Sequence, residues 1–86
     1  MQGLDAQMDE IQQRLVNCFE YVFPSLPREE IPRSSQANNS AWDSIAAITL
    51  ANVIEDEFGF QIDLDLLPEL NSFDHILSYV KSEVQG

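Results

Sequence analysis

Apolar residues recur at intervals of three and four in three stretches of the chain, separated by polar or proline-bearing segments. Over about 5–22, Met8, Ile11, Leu15, Cys18, Phe19 and Val22 form one stripe, while Asp9, Glu10, Gln12, Gln13, Arg14 and Glu20 take the other face. That is the pattern of an amphipathic helix. Asp5, Asp9 and Glu10 suit the positive end of its dipole, and Phe23-Pro24 ends it because a residue before proline is pushed out of the helical region. A second helix is predicted over about 43–58: Asn38, Asn39 and Ser40 offer capping side chains, and Asp43 falls in the first turn, where an acid is favoured. Ile45, Ile48, Leu50, Ala51, Ile54 and Phe58 carry the repeat, and Gly59 stops it with a left-handed C-cap. A last helix is predicted over about 72–84, with Asn71 or Ser72 as cap, Asp74 in the first turn, and Phe73, Ile76, Leu77, Val80 and Val84 as its stripe.

The connections differ in character. Between Phe23 and Trp42, the first half holds Pro24, Pro27 and Pro32, with Phe23, Leu26 and Ile31 available to pin it to a core; the polar run Ser34 to Asn39 is expected to be its most mobile part. A loop so long in so small a domain has to be functional or packed down. After Gly59, the alternation Asp63-Leu64-Asp65 resembles a strand but is too short and has no partner. A single helical turn over about 64–67, ended by Pro68 and sending one or two leucines inward, fits better. The expected fold is therefore all-α: one small four-helix bundle spanning 1–86, the third helix very short, with a long loop between helices 1 and 2.

The second helix carries more apolar residues than one core stripe requires. With Leu50, Ala51, Ile54 and Phe58 facing inward, Ile45 and Ile48 lie round the side beside Ser44, partly in water, as on a docking face. A helix buried on two sides would give the same pattern. Glu55, Asp56 and Glu57 crowd the negative end of the dipole, where each acid costs about 0.3 to 1 kcal/mol. Solvation accounts for one or two of them; three together point to a surface for a basic partner.

Bulk properties narrow the function. Eighty-six residues allow a core of about a dozen side chains but leave no room for an enclosed active site plus a scaffold, so the chain is expected to be acted on by other proteins. A net charge of −11 repels nucleic acid and anionic membrane surfaces and favours partners with basic patches. Cys18 is alone, which excludes an internal disulfide and fits a buried thiol. The opening Met-Gln-Gly-Leu-Asp has neither basic residues nor an apolar run, and no stretch approaches the roughly 20 apolar residues of a membrane span, so a cytoplasmic location is expected.

Site chemistries built on the protein's own side chains fall away. Asp63 and Asp65 lack the turn glycine and terminal glutamate of a calcium loop, and one His and one Cys are too few for structural zinc. Ser44 and His75 with an Asp would lack a nucleophile elbow and an oxyanion hole, so His75 reads as an exposed residue and no catalytic residue or metal site is expected. Trp42 reads first as packing the loop end onto the helix, with ligand contact as a second role.

Asp43-Ser44-Ile45, followed by Leu50, Ile54, Glu55-Asp56-Glu57, Phe58-Gly59 and Ile62, and then by Leu70-Asn71-Ser72-Phe73, resembles the acyl carrier proteins, with their Asp-Ser-Leu, their apolar helix to Glu-x-x-Phe-Gly and their small polar pair before the last helix. The likeness covers most of the chain and is weakest in the first helix. It implies a carrier: Ser44 would receive 4′-phosphopantetheine from coenzyme A through a phosphodiester made by a separate phosphopantetheinyl transferase, and the arm's thiol would hold acyl groups as thioesters. It implies a docking face of Trp42, Asp43, Ile45, Ile48, Asn52, Glu55 and Asp56 for acyl-loading, acyl-transferring or condensing enzymes. It implies shielding of the acyl chain by Ile54, Phe58, Ile62, Leu67 and Phe73, with Phe73 near the mouth and Ala47 and Ala51 leaving space. The long first loop is a family feature; Pro68 departs from the family's longer third helix. Ala46 and Thr49 stand where carriers of general fatty-acid synthesis usually have acids, and a Trp before Asp-Ser resembles stand-alone members of specialised pathways. The protein is expected to act as a monomer. The alternative is a small acidic helical adaptor, never modified, in which Ser44 only caps a helix.

Overall fold

The computed structural model describes residues 2–85, with side chains described over 10–84; the side chains of Asp5, Met8 and Asp9, assigned above to the first helix, lie outside the described residues. Helix α1 runs Gln2–Val22, a six-residue 3-10 helix follows at Arg28–Arg33, α2 spans Ser44–Phe58, a single 3-10 turn covers Leu64–Leu66, and α3 is Phe73–Gln85. This is the expected all-helical bundle, the Leu64–Leu66 turn standing as its very short third helix. The helix inside the long loop was not legible as such. Its three amide-free or acidic positions read as loop, and it forms because Pro27 and Pro32 hold φ where a tight turn needs it while Ile31 is drawn fully into the core.

The core is organised on Phe19, which is fully buried with Phe23, Trp42 and Phe73 around it at ring-centroid distances of 6.0, 5.4 and 5.2 Å. The Trp42 and Phe73 contacts are edge-on, the arrangement that the ring quadrupoles favour. Phe19 and Phe23 come from the end of α1 and the residue after it, Trp42 from the end of the long loop and Phe73 from the start of α3, so one cluster ties these three parts together. Leu15, Ile31, Leu50, Ile54 and Val80 continue the core beyond it. The α3 stripe stops at Val80; Val84, one turn later and expected inside, is 43% exposed because the helix outruns the elements that could cover it.

The Ser34 to Asn39 run is held down rather than left loose, against expectation. Ser34 is buried with its hydroxyl donating to the Ile31 carbonyl at 2.7 Å, the Phe73 amide donates to the Ser34 carbonyl at 3.0 Å, and the Gln36 amide to the Asn71 carbonyl at 2.9 Å. Asn38 accepts from the Ser35 amide and donates to the Arg33 carbonyl, both at 2.9 Å. These backbone bonds strap the loop across the start of α3, and so fix the approach to α2.

Candidate functional site

Asp43 is itself the N-cap of α2: in extended conformation, it accepts the Ala46 amide on its carboxylate at 2.8 Å and the Ala47 amide on its carbonyl at 2.9 Å. The capping expected of Asn38 to Ser40 is not made there; Asn39 accepts the Ala41 amide at 3.1 Å and shapes the turn before the helix. At the other end Gly59 takes φ of 78°, the left-handed C-cap read from the sequence. Ser44 is thus the first helical residue and is exposed, and the amides at its end of the helix have no intrahelical partners.

Beside Ser44 lies an open groove of about 360 Å³, bounded by Gln36, Ala47, Ile48, Leu64, Leu67 and Pro68. Its walls are mostly apolar, with Gln36 and Ser44 as the polar side chains. Ile45 is 75% exposed and Ile48 44%, so the first two turns of α2 offer apolar surface round the serine, as the width of the apolar pattern implied. Asn52 and Asp56 are exposed further along the same helix.

Trp42, expected on the docking face, is only 3% exposed, and its indole packs against Phe19 and Phe23; the packing reading holds for it instead. The reason is that the chain enters α2 through Asp43 with its preceding residue turned inward onto the aromatic cluster.

The acidic triplet separates into three roles. Glu55 accepts the Ile62 amide at 2.6 Å, which closes the turn after Gly59 and commits one of its oxygens inside the chain. Glu57 is paired with Arg14, whose Nε lies 2.7 Å from its carboxylate while another guanidinium nitrogen donates to the Glu57 carbonyl at 2.6 Å. A cation therefore sits where the carbonyl end of the dipole is negative, offsetting the cost of the acids. Asp56 has no such engagement among the described residues and faces solvent.

Between α2, the Leu64–Leu66 turn and α3 lies a small apolar cavity of about 10 Å³, lined by Trp42, Ala47, Leu50, Ala51, Ile54, Ile62, Leu67, Leu70 and Ile76. That is room for about one water-sized sphere, so the space left by the two alanines is a seam that must open to admit a chain. Of the residues expected to line it, Ile54, Ile62 and Leu67 do. Phe58 does not: it is half-buried with the Arg14 guanidinium 4.6 Å from its ring centre and Phe60 beside it, on the outer edge of the bundle. Phe73 does not either; it is buried against Phe19, with ring centroids 5.2 Å apart. Ala47 and Leu67 line both this seam and the groove at Ser44, so those two side chains stand between them.

Other titratable groups stand apart. Cys18 is buried, and burial first, then the nearby Glu57 carboxylate, pushes its thiol up to about 11, leaving it protonated and inert at neutral pH. Asp63 accepts the Asp65 amide at 2.9 Å as the cap of the short turn, and Ser72 caps α3 through the His75 amide at 3.2 Å, with His75 exposed. Among the described residues no three His, Cys, Asp or Glu side chains converge as metal ligands, and no helix is long and apolar enough to cross a membrane.

Residues 13–80 match the family model described as "Phosphopantetheine attachment site". No curated protein and no solved structure matches the chain.

Proposed function

The chain belongs to the phosphopantetheine-attachment family of acyl and peptidyl carriers, domains that hold a covalent 4′-phosphopantetheine and are themselves non-catalytic, and from that membership we propose that Ser44 is the attachment point. The observation that carries this reading is an exposed serine at the first position of α2, inside the matched region, with a 360 Å³ groove beside it. A hydroxyl there is reachable by a transferase. The phosphate it gains lies in the field of the helix N-terminus, where free amides and the dipole favour an anion. The bound arm supplies a thiol that holds acyl groups as thioesters; the chain's own part is to present Ser44, to shield cargo and to be recognised.

For recognition, the proposed docking face is Asp43, Ile45, Ile48, Asn52 and Asp56, with the uncommitted oxygen of Glu55 at its edge. Its partners are the phosphopantetheinyl transferase and acyl-loading, acyl-transferring or condensing enzymes with basic patches. Ile54, Ile62 and Leu67 form the proposed wall for the acyl chain. The protein acts as a cytoplasmic monomer in a specialised lipid or secondary-metabolite pathway, a reading supported by Ala46 and Thr49 on the front of α2. Thr49 is exposed there and donates to the Ile45 carbonyl at 3.1 Å, so that face carries less negative charge to attract enzymes of general fatty-acid synthesis. A general ketosynthase is accordingly expected to extend acyl chains on this protein at least about tenfold more slowly than on its usual carrier; equal rates on the two would remove the case for dedicated partners.

Loading can be followed by thiol count because the only cysteine is inert. Before incubation with coenzyme A and transferase, the native protein is expected to give no fast reaction with an aromatic disulfide reagent at pH 8, since Cys18 is buried and ionises only near 11. Afterwards one thiol per chain should react at once, that of the arm. A fast thiol before modification, or none after it, would contradict the assignment.

A further inference from the structure

Three half-buried aromatics form a row across the end of the bundle where α2 stops. Phe58 and Phe60 lie with ring centroids 6.4 Å apart, and Phe60 meets Tyr79 of α3 edge-on at 6.0 Å. Each packs one side against the core and leaves part of its ring to water. Because α2 is 15 residues long, this end lies about 21 Å along the helix axis from Ser44.

One end of the row is occupied by the chain itself. The Arg14 guanidinium lies 4.6 Å from the Phe58 ring centre while its Nε donates to the Glu57 carboxylate at 2.7 Å. A ring face and a carboxylate together hold a planar cation there, the ring quadrupole attracting it and the acid fixing its direction.

The other end has the same parts and no cation. Glu83 stands one helical turn after Tyr79 and on the same face of α3. Burial first, then the carboxylates of Glu83, Asp63 and Glu55, push the Tyr79 phenol up from its ordinary value, so the charges acting on it are all negative. Glu55 commits one oxygen to the Ile62 amide and Asp63 one to the Asp65 amide, while Glu83 makes no ion pair among the described residues. The chain's basic residues are Arg14, Arg28, Arg33 and Lys81. Arg14 pairs with Glu57 and Arg28 with Glu20. Lys81 is two positions from Tyr79, which on a helix is a different face, and neither it nor Arg33 is among the charges that act on the phenol.

We infer that the Phe60–Tyr79 edge binds an arginine of a protein partner, the guanidinium lying on the exposed ring surface and donating to the carboxylates of Asp63 and Glu83. It is the arrangement that Arg14 makes with Phe58 and Glu57, completed from outside the chain. Arginine fits better than lysine because its planar, weakly hydrated group stacks on a ring and meets a carboxylate at the same time. The site stands at the opposite end of α2 from Ser44, so a partner held there leaves the serine open to an enzyme.

The test is a nuclear magnetic resonance titration of the full-length protein with an acetylated, amidated glycine–arginine repeat peptide and with its glycine–lysine counterpart, at one ionic strength. The arginine peptide is expected to shift the ring signals of Phe60 and Tyr79 and the amides of Asp63 and Glu83, and to bind there about threefold more tightly than the lysine peptide. Tyr79→Leu should abolish that preference. Glu83→Gln, at an exposed position that leaves the core untouched, should weaken both peptides about twofold or more. The same shifts are expected before and after an arm is attached, so this result and the carrier assignment stand or fall separately. Shifts confined to the front of α2, equal binding of the two peptides at the edge, or no shift at all would overturn the inference.

Discussion

Ser44→Ala is expected to abolish uptake of the phosphopantetheine arm completely, with the fold intact. The substitution removes the only atom proposed to bond the phosphate, and it does so at an exposed first helical position whose cap is made by Asp43. The cap bond to the Ala46 amide does not pass through the serine side chain, so stability should change by no more than about 0.5 kcal/mol, the usual range for a surface substitution. Equal melting temperatures with all-or-none modification separate a lost acceptor from a lost fold. Modification of the alanine variant at even a tenth of the wild-type rate would mean that another hydroxyl carries the arm.

Phe19→Ala acts through the core and is expected to have the largest effect on stability. Phe19 is fully buried and touches Phe23, Trp42 and Phe73, so removing its ring strips the contact that joins three segments of the chain. Truncation of a buried phenylalanine costs about 3 to 5 kcal/mol, against a total of about 5 to 15 kcal/mol for a domain of ordinary stability. Urea unfolding should show a midpoint lowered by a corresponding fraction, or a variant already partly unfolded in water. Because Trp42 and the strapped loop set the entry to α2, the variant should also be a poorer transferase substrate even where it is folded. A loss below about 1 kcal/mol would mean that the aromatic cluster is not what holds the bundle together.

Much of this architecture is legible in the sequence, for physical reasons that also explain where reading stops. The three long helices announce themselves because an amphipathic face repeats at the helical period and because Gly59, Pro24 and Ser72 are local stop and start signals whose action needs no distant partner. Ser44 is singled out through the family resemblance that its spacing to Phe58-Gly59 and Phe73 carries, and its role is a proposal. What cannot be read is which distant group each side chain meets. Glu57 pairs with Arg14 from 43 positions away, and Glu55 with the Ile62 amide across the glycine turn, so the triplet reads locally as one acidic surface. Trp42, Phe58 and Phe73 are all large aromatics beside α2 or α3, and only distant partners tell them apart: Trp42 and Phe73 cluster around Phe19, while Phe58 lies under the Arg14 guanidinium. The Ser34 to Asn39 run looks loose because the restraints that tie it to α3 are backbone bonds to Asn71 and Phe73, which leave no mark on residue type, while its Ser34 and Asn38 side-chain bonds stay within the loop.

The most direct test of the carrier assignment is an intact mass of the wild-type protein after incubation with coenzyme A, magnesium and a broad-specificity phosphopantetheinyl transferase, followed by fragmentation to locate the added group, with an established carrier treated in parallel. The account predicts a gain of one phosphopantetheine per chain, on the fragment that contains Ser44 and on no other serine. No gain while the parallel carrier is modified, or an arm found elsewhere, would contradict it.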